Sequence, residues 1–163
     1  DLKRLAKAEL AEIESAIKIA GLWRQRAVRL KRLAEIILKH FNGDLQAVLK
    51  MPLIEARRTL MKLPGVGFKT ADILLLFSGG RPVFPVDTHI FRITRRRWRL
   101  APEKATYEEV RAVLEAFYPR SPENYLAGHI GMIKLGRKYC KARRPLCEEC
   151  IINDVCPYVI QQS

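Results

Sequence analysis

Residues 63–87 read LPGVGFKTADILLLFSGGRPVFPVD. Pro64, Gly65 and Gly67 form a tight turn between two helical patterns. Glycine tolerates positive φ and has no Cβ, so the backbone amides of Gly65, Val66 and Gly67 can come close to a ligand. They stand at the start of the next helix, where unpaired N–H groups and the helix dipole favour an anion such as phosphate. Lys69 lies in the first turn of that helix. Residues 68–78 are almost wholly apolar beyond that turn, which predicts a central, buried helix ended by Gly79-Gly80. Asp87 closes a Gly/Pro-rich loop at the point where a new helical pattern starts at Thr88, the position of an N-cap. Taken alone, GVG-x-K also describes an ordinary helix–turn–helix corner with a solvated lysine.

Outward from this stretch the pattern is helical. Residues 3–19 carry apolar positions at helical spacing, broken by Gly21-Leu22-Trp23. A helix over 25–40 follows, with Val28, Leu30, Leu33, Ile36 and Ile37 as its expected apolar stripe. Gly43 ends it and Asp44 can cap the next. Pro52 suits the first turn of a helix over 53–62 that leads into the glycine turn. A helix over 88–98 is expected to carry Arg92, Arg95, Arg96 and Arg97 on its polar side. Thr106 and Glu109 have the spacing of a capping box ahead of a helix that ends near Tyr118-Pro119. A last long helix covers 123–139, with Leu126, Ile130, Met132, Ile133 and Leu135. There is no strand pattern, so the expected fold class is all-α, a helical bundle of about eight helices.

The 163 residues suit one domain or a tightly joined pair, and a 48% hydrophobic share is enough for a sizeable core. No apolar run reaches membrane-span length and no signal peptide is visible. Lys and Arg number 30 against 17 Asp and Glu, a net charge of +13 that points to a polyanion. The basic residues are spread along the chain, which disfavours a membrane-surface anchor. Few Asn and Gln among many charges give a weak thermophile signature.

The four cysteines, Cys140, Cys147, Cys150 and Cys156, are gathered at the C-terminal end with the spacing C-x6-C-x2-C-x5-C. A disulfide framework would spread along a secreted chain, so this clustering indicates metal. Structural zinc usually shows two close pairs, and this pattern has one. Four thiolates suit a [4Fe–4S] cluster. Lys141, Arg143 and Arg144 lie inside the first gap and would form a rigid basic loop.

The glycine hairpin, the lysine two residues past it, the apolar helix, the Gly/Pro loop and the run VDTHIFRI together resemble the helix-hairpin-helix–Gly/Pro–Asp DNA glycosylases. The cysteine spacing resembles the iron–sulfur loop of their endonuclease III group. The resemblance extends from about Ile17 to Pro157. It implies a helix-hairpin-helix core over residues 20–120, flanked by 1–19 and by the cluster region 121–163. The relatives have further helices before the segment that matches residues 1–19, so the match begins inside the domain.

The resemblance also implies chemistry. Lys69 would be the nucleophile that attacks C1′ of the sugar and forms a Schiff base, and Asp87 the carboxylate that works with it. A lysine here marks a combined glycosylase and AP lyase acting on oxidised or damaged pyrimidines in double-stranded DNA, or at an abasic site. A glycosylase for a mismatched base or an oxidised or alkylated purine, and a non-catalytic DNA-binding module, are the alternatives. Leu22 matches a leucine that wedges into the duplex beside the flipped base, a sensible use of an apolar side chain. Arg24 and Arg26 flank it and could hold phosphates. Asp72 stands where many relatives have an amide; a pairing with Lys69 one turn earlier would blunt the nucleophile, and the favoured reading is that Asp72 faces another cation. His89 is expected to be structural. The expected protein is a monomer when complete, working in the cytoplasm at a prokaryotic nucleoid and not secreted.

Overall fold

The computed structural model describes residues 1–161. It holds ten α-helices and no strand among those residues. Among them no helix is long and apolar enough to cross a membrane. The chain divides into two compact units, Asp1–Gly67 and Phe68–Ser163, so the boundary falls at the end of the glycine turn.

The first unit holds α1 (Leu2–Lys7), α2 (Leu10–Ala16), α3 (Trp23–Phe41), α4 (Gln46–Lys50) and α5 (Leu53–Met61). The single helix expected over 3–19 is two. Glu9 starts a new helix with its own capping box to Glu12, and Lys31 of α3 donates to the carbonyls of Ala6 and Ala8 at 2.8 and 2.7 Å. These last carbonyls of α1 are capped by a cation rather than by continued helix. Both short helices pack on α3. The buried face of α3 is Ala27, Ala34 and Ile37, while Val28 and Leu30 of the expected stripe are exposed. Small residues at the contact let helices approach closely, and a count of large apolar side chains overlooks them. As expected, Gly43 takes positive φ at the end of α3, and the Asp44 carboxylate accepts from the amide of Gln46 at the start of α4. Pro52 sits at the N-cap of α5, one position before the first turn.

The second unit holds α6 (Phe68–Ile73), α7 (Thr88–Arg92), α8 (Tyr107–Phe117), α9 (Pro122–Lys138) and α10 (Pro157–Ile160). Helices α6 and α7 each run on into a widened π turn, over Leu74–Ser78 and Ile93–Arg97. Such turns are rare and gather at functional sites. The Thr106–Glu109 capping box forms as expected at the start of α8, and Ser121 caps α9 with Pro122 in its first turn.

Helix α9 positions everything around it, through two glycines. A Cβ on Gly128 would lie 2.8 Å from the Tyr118 ring, and one on Gly136 would lie 2.7 Å from Cβ of His89. Both contacts are too close for any side chain, so α9 lies directly against the Gly/Pro loop and α7. Phe84 of that loop is fully buried, stacked on Tyr118 and edge-on to Tyr125. Burying a ring of this size stabilises by about 1.5–3 kcal/mol. Arg92, expected on the polar face of α7, turns inward instead. Its guanidinium donates to the carbonyls of Gly136 and Cys140 and meets His89 Nδ1 at 3.0 Å. A buried helix end leaves carbonyls in need of donors, and Arg92 supplies them at the end of α9.

Candidate functional site

In the first unit, Gly65 takes positive φ, the conformation the turn requires. The amide of Val66 donates to the carbonyl of Leu63 at 3.1 Å. That N–H therefore closes the turn, and the approach to an anion falls to its two glycine neighbours, both exposed. Leu22 is the N-cap of α3 and 70% exposed, with φ of 59°. The left-handed region is costly for a residue with a Cβ, and an exposed apolar side chain held there is an outlier of the kind found at functional sites. Arg24 lies over the Trp23 ring at 4.4 Å, and Arg26 is exposed.

In the second unit, Lys69 is exposed in the first turn of α6 and Asp87 is buried at the N-cap of α7. Asp87 Oδ1 accepts from the amide of Ile90 at 2.9 Å. The loop that delivers it is buried from Val83 through Asp87 and anchored peptide by peptide. The amide of Phe84 donates to Glu115 Oε1 at 3.0 Å and that of Val86 to the Tyr107 hydroxyl at 3.1 Å. The carbonyl of Pro85 meets Nδ1 of His129 at 2.9 Å.

His129, which the pattern of α9 did not flag, lies against the loop that carries Asp87. It is buried, and burial pushes its pKa below the ordinary value, against the Pro85 hydrogen bond and the Asp87 carboxylate, which raise it; the Lys69 ammonium lowers it further. The signal of His129 in the sequence was a lone histidine on a helix, indistinguishable from a core histidine without the loop against it.

Asp72 is fully buried and accepts from the Tyr107 hydroxyl at 2.8 Å, whereas Lys69 is exposed. The two side chains occupy different environments, and the Tyr107 contact is one that helical spacing could not indicate. His89 is structural as expected, wedged against Gly136 and bonded to Arg92.

Cys140, Cys147, Cys150 and Cys156 line one cavity together with Arg97 and Tyr158. All four are free thiols. Burial pushes the Cys140 thiol up, opposed by Arg97 and Arg92, while Cys156 and Cys150 add to the rise. Bound iron would hold such thiols as thiolates, and the same arginines would offset their charge. Four cysteines lining one cavity supply the all-thiolate donor set that an iron–sulfur cluster takes. Arg97 covers the Tyr158 ring at 4.1 Å and closes one side. Lys141, Arg143 and Arg144 are all exposed on the loop.

Residues 1–120 match the family model described as HhH-GPD superfamily base excision DNA repair protein. The chain belongs to that superfamily. Residues 140–156 match the iron-sulfur binding domain of endonuclease III, which places the chain in the endonuclease III group and assigns a [4Fe–4S] cluster to the four cysteines. Endonuclease III of Thermotoga maritima is 33% identical over 156 residues, covering 96% of this chain and 68% of that protein. A thymine-DNA glycosylase of Aeropyrum pernix is 32% identical over 159 residues, covering 96% and 68%. A solved structure of a trapped endonuclease III–DNA covalent intermediate superposes with a TM-score of 0.81 at 30% identity, covering 99% of this chain and 70% of that one. The chain thus spans about two thirds of the length of the curated relatives it matches. As a member of the endonuclease III group it is an enzyme of base-excision repair, in the class of DNA glycosylases and AP lyases.

Proposed function

We propose that this chain is a bifunctional DNA glycosylase/AP lyase that removes oxidised or damaged pyrimidines from duplex DNA. The reading is supported by an exposed Lys69 in the first turn after the glycine turn and a buried Asp87 held at the N-cap of α7 by a loop anchored at Phe84, Pro85 and Val86. A base in a duplex must be flipped out to be reached. The Lys69 amine then attacks C1′ as the bond to the base breaks, and the base leaves with the bonding electrons and takes up a proton. Asp87 stabilises the positive charge on the sugar, through the carboxylate oxygen that the Ile90 cap does not use. Breaking of the C1′–O4′ bond then opens the sugar ring, O4′ takes up a proton and the Schiff base is complete; removal of a 2′ proton expels the 3′ phosphate.

Binding is assigned to the exposed groups. Leu22 fills the gap beside the flipped base. Arg24, Arg26 and the turn's Gly65 and Gly67 amides hold phosphates, with Val66 closing the turn, as do Lys141, Arg143 and Arg144 on the cluster loop. A second reading, removal of thymine from a mismatch, is favoured by the similarity to a thymine-DNA glycosylase at almost the same identity. Borohydride trapping on duplexes carrying an oxidised pyrimidine or a G·T mismatch separates the two. The expected result is trapping on the oxidised pyrimidine, abolished in Lys69→Gln, which keeps the volume but forms no imine. Trapping that survives Lys69→Gln assigns the nucleophile to another amine.

A further inference from the structure

We propose that the Tyr107 hydroxyl is a positioning group for the glycosylase step, tying the peptide before Asp87 to the helix that carries Lys69.

Tyr107 is the first residue of α8, and its place is set locally. The amide of Thr106 donates to Glu109 Oε2 at 2.6 Å, and the amide of Glu109 donates to Thr106 Oγ1 at 3.3 Å. The ring is held by two others. It stacks on Phe68 with centroids 5.3 Å apart and 22° between planes, and it meets Phe91 edge-on at 6.1 Å. Phe68 immediately precedes Lys69, and Phe91 lies in the first turn of the helix that Asp87 caps.

The hydroxyl spans the same two elements. It accepts from the amide of Val86 at 3.1 Å and donates to Oδ2 of Asp72 at 2.8 Å. The polarity is forced, because an amide only donates and a carboxylate only accepts. The chain Val86 N–H to Tyr107 O–H to Asp72 therefore runs one way, and each bond polarises the next. One end is the residue before Asp87. The other is a fully buried carboxylate one turn beyond Lys69 on α6. A tyrosine and an aspartate that looked unrelated in the sequence thus act together on the spacing of the two reacting groups.

Other bonds hold the rest of the loop, from Glu115 to Phe84 and from His129 to Pro85. Removing one hydroxyl leaves those anchors in place and frees the peptide that aims Asp87. The inference rests on the reading of Lys69 and Asp87 as the reacting pair. Base release needs both groups, whereas strand cleavage at a ready-made abasic site has no base to expel. The two steps should separate.

The test is single-turnover kinetics on a duplex with an oxidised pyrimidine and on one with a preformed abasic site. Tyr107→Phe keeps both ring contacts and removes only the hydroxyl. Base release should slow by about tenfold to a hundredfold, the scale of a small misplacement of a reacting group. Cleavage of the abasic duplex and affinity for the lesion duplex should be unchanged. Asp87→Asn is the reference. If it slows base release and Tyr107→Phe leaves the ratio of the two rates as in the wild type, the positioning role is wrong and the reacting pair stands. If neither variant changes base release, both readings fall. Should Tyr107→Phe not fold, 2-hydroxyisovalerate at position 86 makes that peptide an ester, which removes the donor N–H. The ester also weakens the Pro85 carbonyl that meets His129, so His129→Leu, which loses that second bond alone, is the control. The same selective slowing then supports the role, and an unchanged ratio overturns it.

Discussion

The loop that delivers Asp87 and the loop that carries the cysteines are both irregular, and they are held in opposite ways. From Val83 to Asp87 every residue is buried, and α8 and α9 supply hydrogen-bond partners through Glu115, Tyr107 and His129. In the cysteine loop residues 141–144 are all exposed. Its backbone is closed by short local bonds, such as Leu146 to Tyr139 and Cys150 to Cys147, and the anchor from outside is Arg92 on the carbonyl of Cys140. The first loop is ordered by protein atoms alone. The second places four cysteines around a shared cavity, and its rigidity is expected to depend on the cluster they hold. A group that stabilises developing charge must be in place before the reaction, whereas a basic phosphate grip needs only a firm support.

Replacement of Cys147 by serine is the severest test of this contrast. It should abolish the cluster, read as loss of iron and of the yellow-brown colour. Hydrogen exchange should rise throughout residues 140–156, while the amides of Phe84 and Val86 stay protected. Equal deprotection of both loops would show that they form one cooperative unit and break the comparison.

Charge reversal at Arg143 and Arg144 sharpens it from the binding side. Affinity should fall alike for damaged and undamaged duplexes, and the log–log salt slope should shrink by about two units if each arginine holds one phosphate. Single-turnover base release at saturating enzyme should not change. A loss restricted to damaged duplex would assign the cluster loop to lesion recognition instead.

The smallest expected effect concerns pH. Burial lowers the pKa of His129 in the folded protein, so the unfolded chain binds the extra proton first. The stability contribution is complete above the ordinary value of about 6.5 and is lost as pH falls below it toward the lowered folded value. The melting temperature of the wild type should therefore drop through that window, and His129→Gln should flatten this part of the profile. Exchange at the Asp87 loop should rise over the same window, and the cysteine loop should not follow. Identical profiles for wild type and variant would remove His129 from the account.

The parts of this molecule that could be read in advance rest on residues within a turn or two of each other. The glycine turn at 65–67, Lys69 two residues past it, the Thr106–Glu109 box and the 6-2-5 cysteine spacing are local arrangements, and local geometry constrains what they can be. The same locality explains where the reading was incomplete. Helix 3–19 breaks because Lys31, more than 20 positions away, caps its carbonyls. Arg92 leaves the expected polar face because the end of α9 presents carbonyls 44 and 48 positions on. Tyr107 meets Val86 and Asp72 across 21 and 35 positions, and His129 meets Pro85 across 44. Spacing cannot encode such partners, because they are chosen by which helices pack together, and that depends on where glycines such as Gly128 and Gly136 let α9 approach. The proposed reacting residues and the cysteines stand in the sequence at local spacings; the bonds around them came only with the packing.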